Sequence, residues 1–254
     1  MTFGCIVQAR TGSTRLPQKV LKKIDKNTTI LSSVINQLQH SNSIEKIVIA
    51  TTDLEEDDVI EEFARAINVD CFRGNEFDVL DRYYKCALNF SFKTIIRITS
   101  DNPLIDPTIL DQISSRYLLQ NYDYMSNNHP RTFPIGTEVE IFSFNALEQA
   151  WINAQLASER EHVTPYFYNN PEQFKIGNFS NSEDFSFLCW SVDRENDLEL
   201  VKQIMSSIKK RPILLLDILE LYKKSPKIFD VNKNHKRDEG YQLSLNQDHI
   251  FKQK

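Results

Sequence analysis

The stretch Val7-Gln8-Ala9-Arg10-Thr11-Gly12-Ser13-Thr14-Arg15-Leu16-Pro17-Gln18-Lys19 is short, polar and strongly cationic. Backbone N–H groups in such a loop, joined by the guanidinium forks of Arg10 and Arg15 and the ammonium of Lys19, offer donors to the oxygens of a polyphosphate. An ordinary exposed basic turn would use the same residue types, so position has to decide. Neither GxxxxGK[ST] nor GxGxxG occurs here, which excludes a P-loop and a dinucleotide fingerprint. Two aspartates stand in comparable settings further on. Asp101 lies in Ile98-Thr99-Ser100-Asp101-Asn102-Pro103, and Asp193 lies in Trp190-Ser191-Val192-Asp193-Arg194. Each follows an apolar run and precedes a polar turn. Magnesium prefers oxygen ligands and takes one or two carboxylates, with phosphates and waters completing its shell, so such a pair suffices for Mg²⁺ beside a triphosphate. Capping a helix is the competing use for either aspartate.

The elements that must present these residues follow from periodicity. Cys5–Val7, Lys46–Ala50 and Thr94–Ile98 are short β-branched runs bounded by polar turns and predict buried strands, as does Val69–Phe72. Between them Ile30, Val34, Ile35 and Leu38, then Val59, Ile60, Phe63, Ala64 and Ile67, recur at helical spacing. Strand–helix alternation predicts an α/β fold, a mostly parallel sheet covered by helices, with ligand chemistry at the carboxyl ends of the strands. The polar segments after Val7, Ala50 and Ile98 all fall there. Further along, the pattern predicts a helix from Leu110 to Leu119 and a half-buried strand from Glu138 to Phe142. It then predicts a helix from Phe144 to Ala157, capped by Ser143 or Asn145, and a strand from Phe187 to Val192. Helices over Asp197–Ile208 and Ile213–Tyr222 follow, then a polar arm from Asn232 that is extended or partly helical.

Composition narrows the partners. A net charge of −5 gives no basic surplus for nucleic-acid phosphates, so phosphate recognition is expected to be local. Cys5, Cys71, Cys86 and Cys189 show no metal-ligand spacing and read as reduced core residues. No signal-peptide pattern and no apolar run near the roughly 20 residues of a membrane helix occurs, which predicts a cytoplasmic chain.

The series Ala9-Arg10-x-x-Ser13-Thr14-Arg15-Leu16-Pro17-x-Lys19 resembles the signature loop of 3-deoxy-manno-octulosonate and acylneuraminate cytidylyltransferases, and more closely that of SpsF-type polysaccharide biosynthesis proteins. Glycine is common in those enzymes where this chain has Gln18. The resemblance implies a Rossmann-like nucleotidyltransferase fold over 1–224, with a lid and dimerisation insert around 126–168 and a polar arm over 225–254. It implies transfer of CMP from CTP to an acidic sugar or related polyol. Arg10, Arg15 and Lys19 would bind phosphate. Gln8, Ala9, Thr11, Gly12, Ser13, Thr51, Arg73 and Ser100 would complete the nucleotide site. Segments SDNPLI and SVDRENDLE are similar to the family's metal-binding segments and make Asp101 and Asp193 the Mg²⁺ pair, catalytic together with Arg10 and Lys19.

On the acceptor side, Arg73, Asn128, Arg131, Glu138, Glu140, Arg160 and His162 lie in segments similar to SpsF-type forms such as GLDVEVFS and REHVTP. Thr137 replaces the aspartate of GLD, and Asp197 serves as a cap or support for the helix after Asp193. Asn232–Tyr241 reads either as a solvated tail or, by resemblance, as a piece docked on a subunit or lid. The family also implies a homodimer through Glu138–Phe167. A glycosyltransferase of related architecture would be expected to show a DxD motif at a strand end, which is missing, and a silent nucleotide-binding scaffold has no need of the retained aspartates.

Overall fold

The computed structural model describes residues 3–233 and 239–252. Its strands are β1 (Phe3–Gln8), β2 (Ile44–Thr52), β3 (Asp70–Gly74), β4 (Thr94–Thr99), β5 (Tyr124–Ser126), β6 (Glu140–Ser143) and β7 (Ile176–Asn178), assembled in the order β3-β2-β1-β4-β6-β5-β7. β6 alone runs against its neighbours; β1, β2, β3 and β4 are parallel, and β7 is parallel to β5. The sheet is therefore mostly parallel, as the alternation predicts. Gln8 is level with Ala50 on one side and Thr99 on the other, so the loops after β1, β2 and β4 emerge together at one edge.

Helices cover both faces. On one, α1 (Ile30–Leu38), α2 (Asp58–Ala66), α4 (Pro107–Gln120), α8 (Glu195–Ser207) and α9 (Leu215–Lys224) pack on Cys5, Val7, Ile49, Ile96 and Ile98. On the other, α3 (Val79–Asn89), α5 (Phe144–Asn153), α6 (Ala157–His162) and α7 (Pro165–Asn169) close over Ile6, Val48, Ala50, Ile95, Tyr124 and Phe142. The alternation of β1, with Cys5 and Val7 on one side and Ile6 on the other, is the two-residue strand period burying both faces. Gly4 is required because a Cβ there would sit 2.2 Å from the Phe92 ring.

Local chemistry sets the helix starts. Thr29 and Ser32 exchange reciprocal side-chain-to-backbone bonds at α1, Asp106 precedes Pro107 and accepts from the Thr108 amide at 2.7 Å at α4, and Ser143, rather than Asn145, caps α5.

Several predicted elements are corrected. Phe187–Val192 is no strand: apart from one bridge between Ile135 and Cys189 it is irregular, its apolar side chains packing without a ladder. The helix predicted to Ala157 breaks after Asn153 and restarts as α6, and the last core helix begins at Leu215 rather than Ile213. The C-terminal arm is not a solvated tail in its described parts. A 3₁₀ segment, Pro226–Asn232, lies against α8, with Asn232 donating to the Cys189 carbonyl at 3.1 Å and to Asp197 at 2.8 Å. Beyond it α10 (Glu239–Lys252) packs on α6. Residues 234–238 and 253–254 of the predicted arm lie outside the described residues. No helix among those described is long and apolar enough to cross a membrane.

Candidate active site

The loop after β1 is held from below by a carboxylate that the sequence reading did not single out. Asp57, buried in a 3₁₀ turn after β2 (Glu55–Asp57), accepts from both the amide and the hydroxyl of Thr11 at 2.7 Å and from the hydroxyl of Thr52. Ala9 continues the β1 ladder by donating to the Ala50 carbonyl at 3.1 Å. Gly12 passes beside Glu56, and the Ser13 hydroxyl accepts from the Leu16 amide at 3.4 Å. The chain then turns at Gln18, which has φ 53° and ψ 29°, the left-handed region that favours glycine. The glycine common at this position in the resembling family thus has a backbone reason. Lys19 follows directly, pointed into the site by that turn.

There Lys19 Nζ lies 2.9 Å from Asp101 Oδ2 and 2.8 Å from Asp193 Oδ1, and Arg15 Nη2 lies 2.8 Å from the same Asp193 oxygen. Asp101 and Asp193, 92 positions apart in the chain, therefore share one cation. Neither is a helix cap. Asp106 caps α4, and at α8 it is Asp197 that accepts from the amides of Asp193 and Arg194 at 3.1 and 2.8 Å. The Val192 amide donates to the Asp101 carbonyl at 2.8 Å, which binds the two carboxylate segments together through the backbone. Burial pushes the Asp101 carboxyl up, but the Lys19 ammonium and the Thr99 hydroxyl outweigh it and hold the group below its ordinary value. Burial likewise pulls Lys19 down, and the charges of Asp101 and Asp193 carry it above the usual lysine value. An oxygen-only pair closing on one cation, partly open to the loop, is the donor set that Mg²⁺ takes when phosphates and waters supply its remaining ligands.

The other nucleotide-side residues gather at the same edge. Ser100 donates its amide to the Gln8 carbonyl at 3.1 Å, and Gln8 Oε1 and Thr51 Oγ1 are buried without a partner. Arg10 is 3.5 Å from Glu76. Arg73 is committed elsewhere. Its Nε donates to the Thr52 carbonyl at 3.0 Å and Nη2 to the Leu54 carbonyl at 2.7 Å, and Nη1 meets Asp58 and Glu61, so it braces the start of α2.

The acceptor-side residues divide into two groups. Next to the Asp101 turn, Asn102 Nδ2 donates to Thr99 at 3.1 Å and to Glu138 at 3.2 Å, and Glu138 is paired with Arg131. Asn102 Oδ1 and Asn128 Oδ1 are buried there without partners. Asn127 holds the hairpin through the Thr137 carbonyl at 2.8 Å and the Val139 amide at 2.9 Å, while the Thr137 hydroxyl is spent on Pro134. The second group sits under α6, α7 and α10. Glu140 accepts from Tyr124 at 2.7 Å and pairs with Arg97. His162 Nε2 is 3.0 Å from Ser244 of α10, and Arg160 forks onto Asp78 while donating to the Trp151 carbonyl. Arg160 therefore ties α6 to α3 and α5. Arg97, Asn102 and Asp57 were missed because a charge or amide inside a strand, turn or acidic run carries no local mark; only the fold supplies its partner.

A mostly parallel sheet with a cationic loop after its first strand and a carboxylate pair, Asp101 just past β4 and Asp193 just before α8, has the architecture of the nucleotidyltransferase fold. The chain belongs to the cytidylyltransferase family, whose model matches residues 4–241. It is 32% identical to the spore coat polysaccharide biosynthesis protein SpsF of Bacillus subtilis over 229 residues, covering 87% of this chain and 94% of that one. Among solved structures it is similar to a cytidylyltransferase from Leptospira borgpetersenii, at 35% identity and TM-score 0.87, covering 93% and 98% of the two chains. It shares its fold with CMP:2-keto-3-deoxy-manno-octonic acid synthetase complexed with CTP, at 14% identity and TM-score 0.61 over 82% of this chain and 99% of that one.

Proposed function

We propose that the chain is a cytoplasmic, Mg²⁺-dependent enzyme that transfers CMP from CTP to an acidic sugar or related polyol, releasing pyrophosphate, in surface polysaccharide or glycan biosynthesis. The observation that carries the reading is the meeting of Lys19 with Asp101 and Asp193 at the end of the cationic loop. Arg10, Arg15 and Lys19 hold the phosphates and offset the charge that builds on the departing pyrophosphate. Asp101 and Asp193 hold Mg²⁺, which when bound neutralises phosphate charge and lowers the pKa of a nearby hydroxyl. The acceptor lies on the side of Asn102, Asn128, Arg131 and Glu138, with its oxygen in line with the α-phosphorus and the leaving oxygen. Thr137 takes no part as a base, because its hydroxyl already donates to Pro134. The working form is a homodimer through 138–167, and a monomeric mass in light scattering would refute that part.

The test is pyrophosphate release with Mg²⁺, each of the four nucleoside triphosphates, and a panel of sugar acids and polyols. Acceptor-dependent release with CTP is expected. Asp101→Ala is expected to lower it at least about a hundredfold, since metal neutralisation contributes several kcal/mol. Release independent of the acceptor, or unchanged in the variant, would sink the assignment.

A further inference from the structure

Arg82, on the first turns of α3, is 2% exposed and is among the largest fully buried side chains of the protein. Among the described residues its side chain makes one hydrogen bond, from Nη1 to the Asn75 carbonyl at 3.0 Å, and Nε is buried without a partner. Among the described residues no carboxylate lies within ion-pair distance of it. A buried charge without a counter-ion is costly, and proteins ordinarily pair such groups. Arg97, a half-buried arginine on this face, has Glu140.

The surroundings of Arg82 point toward the strand ends. Its stem passes under Gly74, where a Cβ would stand 3.2 Å from Arg82 Cγ. Nη1 reaches Asn75, whose chain neighbour Glu76 lies 3.5 Å from Arg10 of the loop after β1. Asp57 is spent on Thr11 and Thr52, and Arg10 adds a second positive charge whose own partner, Glu76, is at 3.5 Å. The guanidinium groups of Arg82 and Arg10 are thus linked through the adjacent residues Asn75 and Glu76, and Arg82 itself has no carboxylate partner among the described residues. On the same face of the sheet Gln8, two residues beyond Ile6, carries its orphaned Oε1.

We propose that Arg82 is a nucleotide-binding residue, its unused donors being taken up by an oxygen of the bound nucleotide between Arg82 and Arg10. The inference rests on the CTP-dependent reading above. A phosphate oxygen and the carbonyl or hydroxyl oxygen of the nucleoside offer the same acceptor chemistry, and the experiment separates them.

Calorimetric titration of CTP and of cytidine into the wild-type protein, Arg82→Lys and Arg82→Gln is the measurement. Arg82→Gln is expected to weaken CTP ten- to a hundredfold, with Arg82→Lys intermediate because lysine restores the charge and not the fork. An equal loss for cytidine assigns the oxygen to the nucleoside; a loss for CTP alone assigns it to a phosphate. A folded Arg82→Gln that binds CTP within twofold of wild type overturns the proposal. Should that variant fail to fold, the Arg82 Nε–H resonance of ¹⁵N-arginine-labelled wild type, identified by its absence in Arg82→Lys, must move on adding CTP; an unmoved resonance is equally fatal. No CTP binding by the wild type itself would overturn the broader reading, and this one with it.

Discussion

Lys19 occupies the position between two carboxylates that a divalent cation would claim. Removing its ammonium leaves Asp101 and Asp193 facing each other with Arg15, among the described residues, to offset them, and like charges so close raise the attraction for any cation. Lys19→Met is therefore expected to bind Mn²⁺ at least about tenfold more tightly than wild type without nucleotide, while binding CTP more weakly. Titration followed by electron paramagnetic resonance reads the first effect, and an unchanged Mn²⁺ affinity would show that Lys19 does not compete for the pair. Gln18 is the second residue with a direct consequence. A left-handed non-glycine residue costs about 1–2 kcal/mol, and glycine gives back about 0.5–1 kcal/mol in chain entropy, so Gln18→Gly is expected to gain about 0.5–1 kcal/mol in urea unfolding. At this scale the loop cations and Asp101 and Asp193 were legible because they follow apolar runs. At Arg73 and Arg160 a charged side chain does not disclose from the sequence that its donors are engaged within the protein.

Among the elements, α10 has the plainest experimental handle. It is joined to α6 by Asp248, which accepts from Ser158, and by Ser244, which meets both His162 and Glu161. Burial holds His162 below its ordinary value of 6.5, against the opposing pull of the Glu161 charge. The unfolded chain therefore takes up this proton first as pH falls. The contribution is intact above about pH 6.5 and is lost as pH drops from there through the lower folded value. In thermal melts the wild type is expected to lose stability from about pH 6.5 downward, and His162→Gln to lose less over that interval; parallel profiles would remove His162 as the cause. The elements themselves were unevenly readable. Buried parallel strands such as β1 and β4 are continuous apolar runs and were recognisable as such. By contrast β5 and β7 have three residues each, too few to show a period, and Phe187–Val192 is apolar because it packs, not because it pairs.

For the molecule as a whole, the order β3-β2-β1-β4-β6-β5-β7 puts the cationic loop after β1 beside the end of the middle strand β4, with α3 on one flank and the hairpin of 126–139 on the other. That hairpin is stitched to the segment carrying Asp193: Ile135 donates to the Leu188 carbonyl and Trp190 donates to the Ile135 carbonyl, each at 2.9 Å. Gly136, at φ 106°, allows the close passage, since a Cβ there would lie 2.7 Å from Trp190 and 2.8 Å from the Ser191 amide. Gly136→Ala is expected to cost about 2 kcal/mol or more in denaturant unfolding and to lower turnover beyond the loss of folded protein. A variant as stable and active as wild type would show that the two segments part freely. The stitching also bears on remodelling the enzyme. Exchanging residues 126–139 for those of a relative would drag the backbone beneath Asp193 along with it. A transplant that succeeds has to carry 187–193 as well, so the two segments are exchanged as one module rather than as single loops.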